Sequence, residues 1–164
     1  MIKGLHHNAY RCRDSEETRR FYEDFLGLPL VNTLEIRETM SGRKTRTLHT
    51  FYRLEDGSCL AFFEAPDMPF EFKKQHDYDL HIALEVAPAE IERMMAKGKA
   101  EGVETRGVSD HGFIRSIYFR DPNGYVIELT AKAAGHDQAM DPRINQARDK
   151  LDRWQAHKKE QARS

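Results

Sequence analysis

A chain of 164 residues with 26 basic and 27 acidic side chains carries a formal net charge of −1, so its overall electrostatics call for neither nucleic acid nor an anionic membrane surface. At 39% hydrophobic and 10% aromatic it can bury one sizeable core, or two small repeated halves around a shared one. No apolar run approaches a membrane span, "MIKGLHHNAY" has no secretory h-region, and Cys12 and Cys59 are too few for a disulfide framework, so a reduced, cytoplasmic protein without membrane partners is expected.

In chain order, "GLHHNAYRC" reads as a strand and "DSEETRRFYEDFLG" as a helix. Asp14 is its N-cap, Glu17 completes a capping-box spacing and Gly27 is C′. Phe21, Tyr22, Phe25 and Leu26 share one helical face. Strands follow at "PLVNTLEI", "TLHTFYRL" and "CLAFFEA", the last two joined by the hairpin signal Asp56-Gly57. "APDMPFEFKKQHDY" reads as a linker. Beyond it come a strand "DLHIALEV", a helix "PAEIERMMAKGKAEG", and three strands, "VETRG", "FIRSIYFR" and "YVIELT". Asp121-Pro122-Asn123-Gly124 is a turn by residue chemistry.

The order β-α-β-β-β therefore occurs twice. His7 and His81 open the two halves, and each half closes on a turn glycine followed by its last strand. Glu128 lies four residues past Gly124, where Ala61 lies four past Gly57. Strand parity puts Leu80, Ile82, Leu84 and Val86 over the second helix and turns His81, Ala83 and Glu85 the other way. Tyr125, Ile127 and Leu129 alternate likewise and leave Val126, Glu128 and Thr130 opposite, while His7 falls with Leu5, Ala9 and Arg11. Two imidazoles and one carboxylate on an inner sheet face match a facial triad, suited to Fe(II), Mn(II), Zn(II) or Ni(II). An unpaired inward carboxylate would otherwise be costly.

These residues carry a resemblance. "LHHNAYRCRDSEETRRFYEDFLGL", "DLHIALEV" and "IYFRDPNGYVIEL" resemble the vicinal oxygen chelate superfamily, which includes glyoxalase I, extradiol dioxygenases, fosfomycin-resistance transferases and bleomycin-resistance proteins. The resemblance implies an α+β fold of two β-α-β-β-β modules forming an eight-stranded cup, with metal ligands at His7, His81 and Glu128. It implies one domain over 1–133, with modules at about 4–66 and 79–131, and a C-terminal extension over 134–164. It also implies a small-molecule substrate and a homodimer.

Where glyoxalase I presents a fourth ligand this chain has Ala61, and Glu64 falls on the opposite face. The run from His111 through Tyr118 and the Asp121-Pro122-Asn123-Gly124 turn to Glu128 is similar to the extradiol signature. That likeness implies Tyr118 as the group bonding substrate or oxygen, His111 at the substrate mouth, and His76 as the one upstream imidazole for acid–base work. Arg11 resembles a glutathione-binding arginine of glyoxalases, whereas Ala9 stands where fosfomycin-binding enzymes have a hydroxyl. The resulting expectation is an Fe(II)-dependent extradiol-type dioxygenase acting on a small aromatic diol. The alternative is a glyoxalase-like lyase or isomerase, or a thiol transferase, acting on a glutathione-type adduct.

Past residue 133 the resemblance stops. Asp141 and Pro142 are expected to start a helix as N-cap and N1, with Ile144, Ala147, Leu151 and Trp154 on one face. The end, "HKKEQARS", is expected to fray.

Overall fold

Asp14 opens the first helix as its spacing predicts, its carboxylate accepting the Glu17 backbone N–H at 2.7 Å. The computed structural model describes residues 1–72 and 76–161. Helix α1, Ser15–Arg19, runs directly into a wider π-helical stretch, Arg20–Phe25. There the Leu26 N–H reaches back to the Phe21 carbonyl at 3.0 Å. The widened turns bury Phe21, Tyr22 and Phe25 together, and Gly27 ends them at φ +83°.

Strands β1 (Tyr10–Arg11), β2 (Leu30–Glu38), β3 (Lys44–Arg53) and β4 (Cys59–Glu64) form the first sheet in the order β1-β4-β3-β2, with β1 parallel to β4. Strands β5 (His81–Glu85), β6 (Thr105–Asp110), β7 (Ile114–Arg120) and β8 (Val126–Lys132) form the second in the order β5-β8-β7-β6. Helix α2, Pro88–Ala100, follows β5. Both sheets thus place the last strand of the module beside its first, as the repeat requires.

The first strand is shorter than its apolar pattern suggests. His7 makes only an isolated parallel bridge to Cys59, with the Cys59 N–H bonded to the His6 carbonyl at 3.0 Å. The next rung is taken by a side chain: the Ala61 N–H donates to Asn8 Oδ1 at 3.2 Å, which interrupts the backbone ladder until Tyr10.

Two compact units are distinguished, Met1–Ile82 with Arg120–Ile127, and Ala83–Phe119 with Glu128–Ser164. Within the first, Tyr22 lies against Phe62 and Tyr52, with ring centroids 4.6 and 5.6 Å away. Its hydroxyl donates to Asp121 Oδ2 at 2.9 Å. Asp121 also accepts from the N–H groups of Asn123 and Tyr125 and from Asn123 Nδ2. Burial pushes its carboxyl above the ordinary carboxylate range, and these donors offset part of that rise. Asn123 in turn accepts the Arg13 N–H at 2.8 Å.

Within the second unit, Ile91 and Met94 of α2 and Ile117 and Phe119 of β7 are buried. Gly98 lets α2 approach closely, since a Cβ there would lie 2.4 Å from Thr105 Oγ1 and 2.6 Å from Phe119 Cε1. Three short-to-medium helices follow: α3 (His136–Met140), α4 (Pro142–Asn145) and α5 (Ala147–Gln161). Asp141 caps α4 as expected, accepting the Arg143 N–H at 2.9 Å. The single amphipathic helix expected here is corrected to two, because Gln146 adopts φ +54° and breaks the run between Ile144 and Leu151. Ile144, Leu151 and Trp154 are all exposed in this chain. Among the described residues, no helix is long and apolar enough to cross a membrane. Residues 73–75 of the expected linker and 162–164 of the expected frayed end lie outside the described residues.

Gly98→Ala sets helix propensity against packing. The substitution gains about 0.5–1 kcal/mol in an open helix, but overpacking costs about 1–3 kcal/mol, and the buried Phe119 ring cannot simply swing aside. We expect net destabilisation, read as a lower thermal midpoint and an unchanged far-UV spectrum. A raised midpoint would show that the helix can retreat from β7.

Burial also separates the two thiols. It pushes Cys12 up to about 11, whereas Cys59 is half-exposed. At pH 8 a thiol with that pKa is ionised in roughly one molecule in a thousand. We therefore expect an aromatic disulfide reagent to label Cys59 in the native protein and Cys12 only after unfolding. Rapid native labelling of Cys12 would contradict its burial.

Candidate functional site

The segment ahead of β1 and the neighbouring strands β4 and β3 bring a group of imidazoles onto one face of the first sheet. His7, bridged to Cys59, packs edge-on to Phe51, with ring centroids 5.4 Å apart. Its Nδ1 lies 2.7 Å from His6 Nδ1, so one ring donates an N–H and the other accepts. His49, on β3, stacks on Phe63 at 3.7 Å and lies 6.1 Å from His7. Its Nδ1 lies 2.9 Å from the Phe62 carbonyl, a bond in which the imidazole must be the donor. Burial lowers its pKa, favouring the neutral ring. A period-two reading of β3, placing His49 with Phe51, was the available signal for it.

His81 opens β5. Its Nδ1 meets the Asp77 carbonyl at 3.1 Å, which makes Nδ1 the donor and leaves Nε2 as the lone-pair nitrogen. Arg120 ties down that turn, donating to Asp77 Oδ1 at 3.1 Å and to the Gly124 carbonyl at 2.9 Å. His76 belongs to the same turn. Its Nδ1 accepts the Tyr78 N–H at 3.3 Å, and its ring packs on Tyr78. Arg11 is likewise engaged in structure: its guanidinium donates to the carbonyls of Ala65 and Met68 and lies 5.0 Å over the Phe70 ring.

Ala61 is fully buried and offers no fourth ligand. Glu64 Oε2 accepts the Ser15 N–H at 2.7 Å at the start of α1, so its carboxylate serves that helix, in keeping with its parity.

The second unit gathers a different set. Glu128, on β8 among Ile127, Leu129 and Ala131, is 6% exposed. Tyr118 feels its charge: burial first, and the Glu128 carboxylate second, push the phenol above its ordinary range, so the hydroxyl stays protonated. His111 Nε2 lies 3.0 Å from the Tyr118 hydroxyl. Arg106, cross-strand from Tyr118 in the antiparallel β6–β7 register, holds its guanidinium 5.7 Å over the Tyr118 ring. Sequence reasoning missed Arg106, although the pairing of β6 with β7 brings it to Tyr118. Ser116 and Thr130 join β7 to β8 through a 3.0 Å hydroxyl bond.

Within the second unit the structure thus brings together Tyr118, His111, Arg106 and Glu128, and within the first His6, His7 and His49. His7, His81 and His76 lie in the first unit and Glu128 in the second. Among the described residues, no group of three His, Cys, Asp or Glu side chains is drawn tightly enough to hold a metal ion. The donors nevertheless fit one in kind. His81 has its Nδ1 fixed as the donor to a carbonyl, His7 is held at Nδ1 by another imidazole, and Glu128 is a carboxylate kept in an apolar strand.

Known proteins agree with this architecture. Metallothiol transferase FosB of Shouchella clausii (strain KSM-K16) is 26% identical over 140 residues, covering 79% of this chain and 80% of that one. The fosfomycin resistance protein FosX of Listeria monocytogenes, in its hexagonal crystal form, is 25% identical with a TM-score of 0.60, over 83% of this chain and 98% of that one. A second crystal structure of the Listeria protein, complexed with Mn(II) and sulfate, matches in fold at 23% identity and a TM-score of 0.63, over 84% and 98% of the two chains. The model of the Glyoxalase/Bleomycin resistance protein/Dioxygenase superfamily matches residues 4–129, spanning both modules and all three histidine and carboxylate positions picked out by the repeat. The chain therefore belongs to the Glyoxalase/Bleomycin resistance protein/Dioxygenase superfamily.

Proposed function

We propose that the protein is a divalent-metal-dependent enzyme that adds a nucleophile, by preference a thiol, to a small anionic electrophile of the fosfomycin class. His7, His81 and Glu128 are its metal ligands. The observation that carries the reading is the likeness to a metallothiol transferase over most of both chains. Mn(II), the ion in the Listeria structure, is the first metal to try, ahead of the Fe(II) expected from the sequence.

The bound ion would supply Lewis-acid polarisation of a substrate oxygen. The chain supplies the rest. Tyr118 keeps its proton through burial and the nearby Glu128 charge, so it donates a hydrogen bond to a developing or resident negative charge. His111 orients that hydroxyl at 3.0 Å, and Arg106 adds positive charge beside it. Such a trio suits an anionic group better than an uncharged diol. A homodimer belongs to the same reading, supported by the exposure of Leu151 and Trp154 on α5.

A dioxygenase is the second reading, favoured by the His111–Tyr118 pair in its signature spacing. It is weakened by His76, whose Nδ1 is spent within its own turn.

The test is loss of fosfomycin, followed by phosphorus NMR, with Mn(II) and a panel of thiols, one arm with no thiol, and a parallel oxygen electrode on catechols. We expect thiol-dependent turnover without oxygen uptake. Glu128→Ala should lose metal stoichiometry as well as activity. Oxygen consumption with catechol and none of the first reaction would overturn thiol transfer in favour of ring cleavage. Turnover only without thiol would reassign the nucleophile to water.

Tyr118→Phe supplies an independent check. With metal content unchanged, we expect kcat to fall by about 10²–10³, the usual effect of removing one donor to transition-state charge. The loss should be flat across pH 6 to 9, because a raised phenol does not titrate there. Unaltered kcat would remove Tyr118 from the chemistry.

A further inference from the structure

His6 and His7 are neighbours in sequence whose rings meet Nδ1 to Nδ1 at 2.7 Å, with centroids 5.0 Å apart. Such a contact needs one proton, carried by one of the two Nδ1 atoms. The backbone beneath it is held: the Cys59 N–H bonds the His6 carbonyl at 3.0 Å, and the Asn8 N–H bonds the Cys59 carbonyl at 3.3 Å. The ring of His7 is further braced by Phe51 at 5.4 Å. His6 itself is exposed, and this bond and ring contact are the interactions that define its side chain.

His81 supplies the comparison. Its Nδ1 can only donate, because its partner is the Asp77 carbonyl, and Nε2 is thereby the nitrogen with the lone pair. For His7 the partner is an imidazole, so either tautomer is allowed by geometry alone. If His6 donated, His7 would carry its proton on Nε2 and present no lone pair on that side. If His7 donates, both histidines present Nε2 in the same way.

We propose that His6 is a positioning residue for the metal. Its Nδ1 accepts the Nδ1–H of His7, fixing that ring in the tautomer whose Nε2 can ligate. This rests on the metal reading given above. His6 then holds its own proton on Nε2, where water accepts it. Outer partners of ligand imidazoles typically change metal affinity 10- to 100-fold when removed.

The experiment pairs two measurements on the full chain. Long-range ¹H–¹⁵N NMR at pH 8 on the metal-free protein reads the tautomer of His7. Mn(II) titration, followed by the electron paramagnetic resonance of the free aqua ion, reads affinity. The variants are His6→Ala and His6→Asn, the second because Asn Oδ1 sits one bond beyond Cγ, as Nδ1 does, and can accept in its place. We expect His7 protonated on Nδ1 in the wild type and on Nε2 in His6→Ala. Mn(II) affinity should fall 10- to 100-fold in His6→Ala and recover for the most part in His6→Asn, with the thermal midpoint unchanged in both. A wild-type His7 protonated on Nε2, or full Mn(II) affinity in His6→Ala, overturns the positioning role alone. A wild type that binds no Mn(II) overturns the metal reading, and this inference with it.

Discussion

The Asp121 carboxylate is the constraint on which the first unit depends. Its two oxygens accept from the Tyr22 hydroxyl, two backbone N–H groups and the Asn123 amide, in a site that is 5% exposed. A buried carboxylate with fewer donors would cost several kcal/mol in uncompensated desolvation, of order 1–3 kcal/mol per lost bond. The network joins residues far apart in sequence, Tyr22 with the 121–125 turn, and Asn123 carries it on to the backbone of Arg13. From that turn the chain enters β8, and the same turn, through Arg120 and Asp77, reaches His81. One carboxylate thus fixes the start of the strand that bears Glu128 and lies one residue from the arginine that orients a histidine.

Polar side chains of the candidate site share a common arrangement: each is held by something behind it. His81 is held by a carbonyl, His49 by another, His7 by His6, and Tyr118 by His111. An imidazole fixed at one nitrogen has a defined chemistry at the other, and a phenol kept protonated is a donor at any physiological pH. By contrast Arg11, His76 and Glu64 spend their polar atoms on the backbone of loops and helix ends. Type and exposure did not separate these two groups, since His7 and His76 are both exposed histidines near strand ends. Their partners did.

Much of this was legible in the sequence because it depends on local rules. Asp14 capped its helix, Asp141 capped α4, Gly27 ended its helical run, and the two modules follow one strand order. The period-two argument turned His81 and Glu85 to the face opposite Ile82 and Leu84, and β5 alternates with that period, His81 and Glu85 exposed and Ile82 and Leu84 half-buried. Where it failed, a side chain competed with the backbone or the chain took a rare conformation. Asn8 replaced a ladder rung and shortened β1, and Gln146 at positive φ divided the C-terminal helix. Neither event has a signature in hydrophobic periodicity.

The sequence by itself determined the fold family, the doubled β-α-β-β-β order and the residue types able to ligate a metal, because these follow from patterns within a few residues or from their repetition. Tertiary structure alone decided which nitrogen of His81 carries its proton, that His49 lies beside His7, that Arg106 sits over Tyr118, and that Tyr118 keeps its proton. Each of these is a matter of hydrogen-bond direction, stacking or desolvation between groups brought close by a turn or by strand pairing, and hydrophobic periodicity does not encode it.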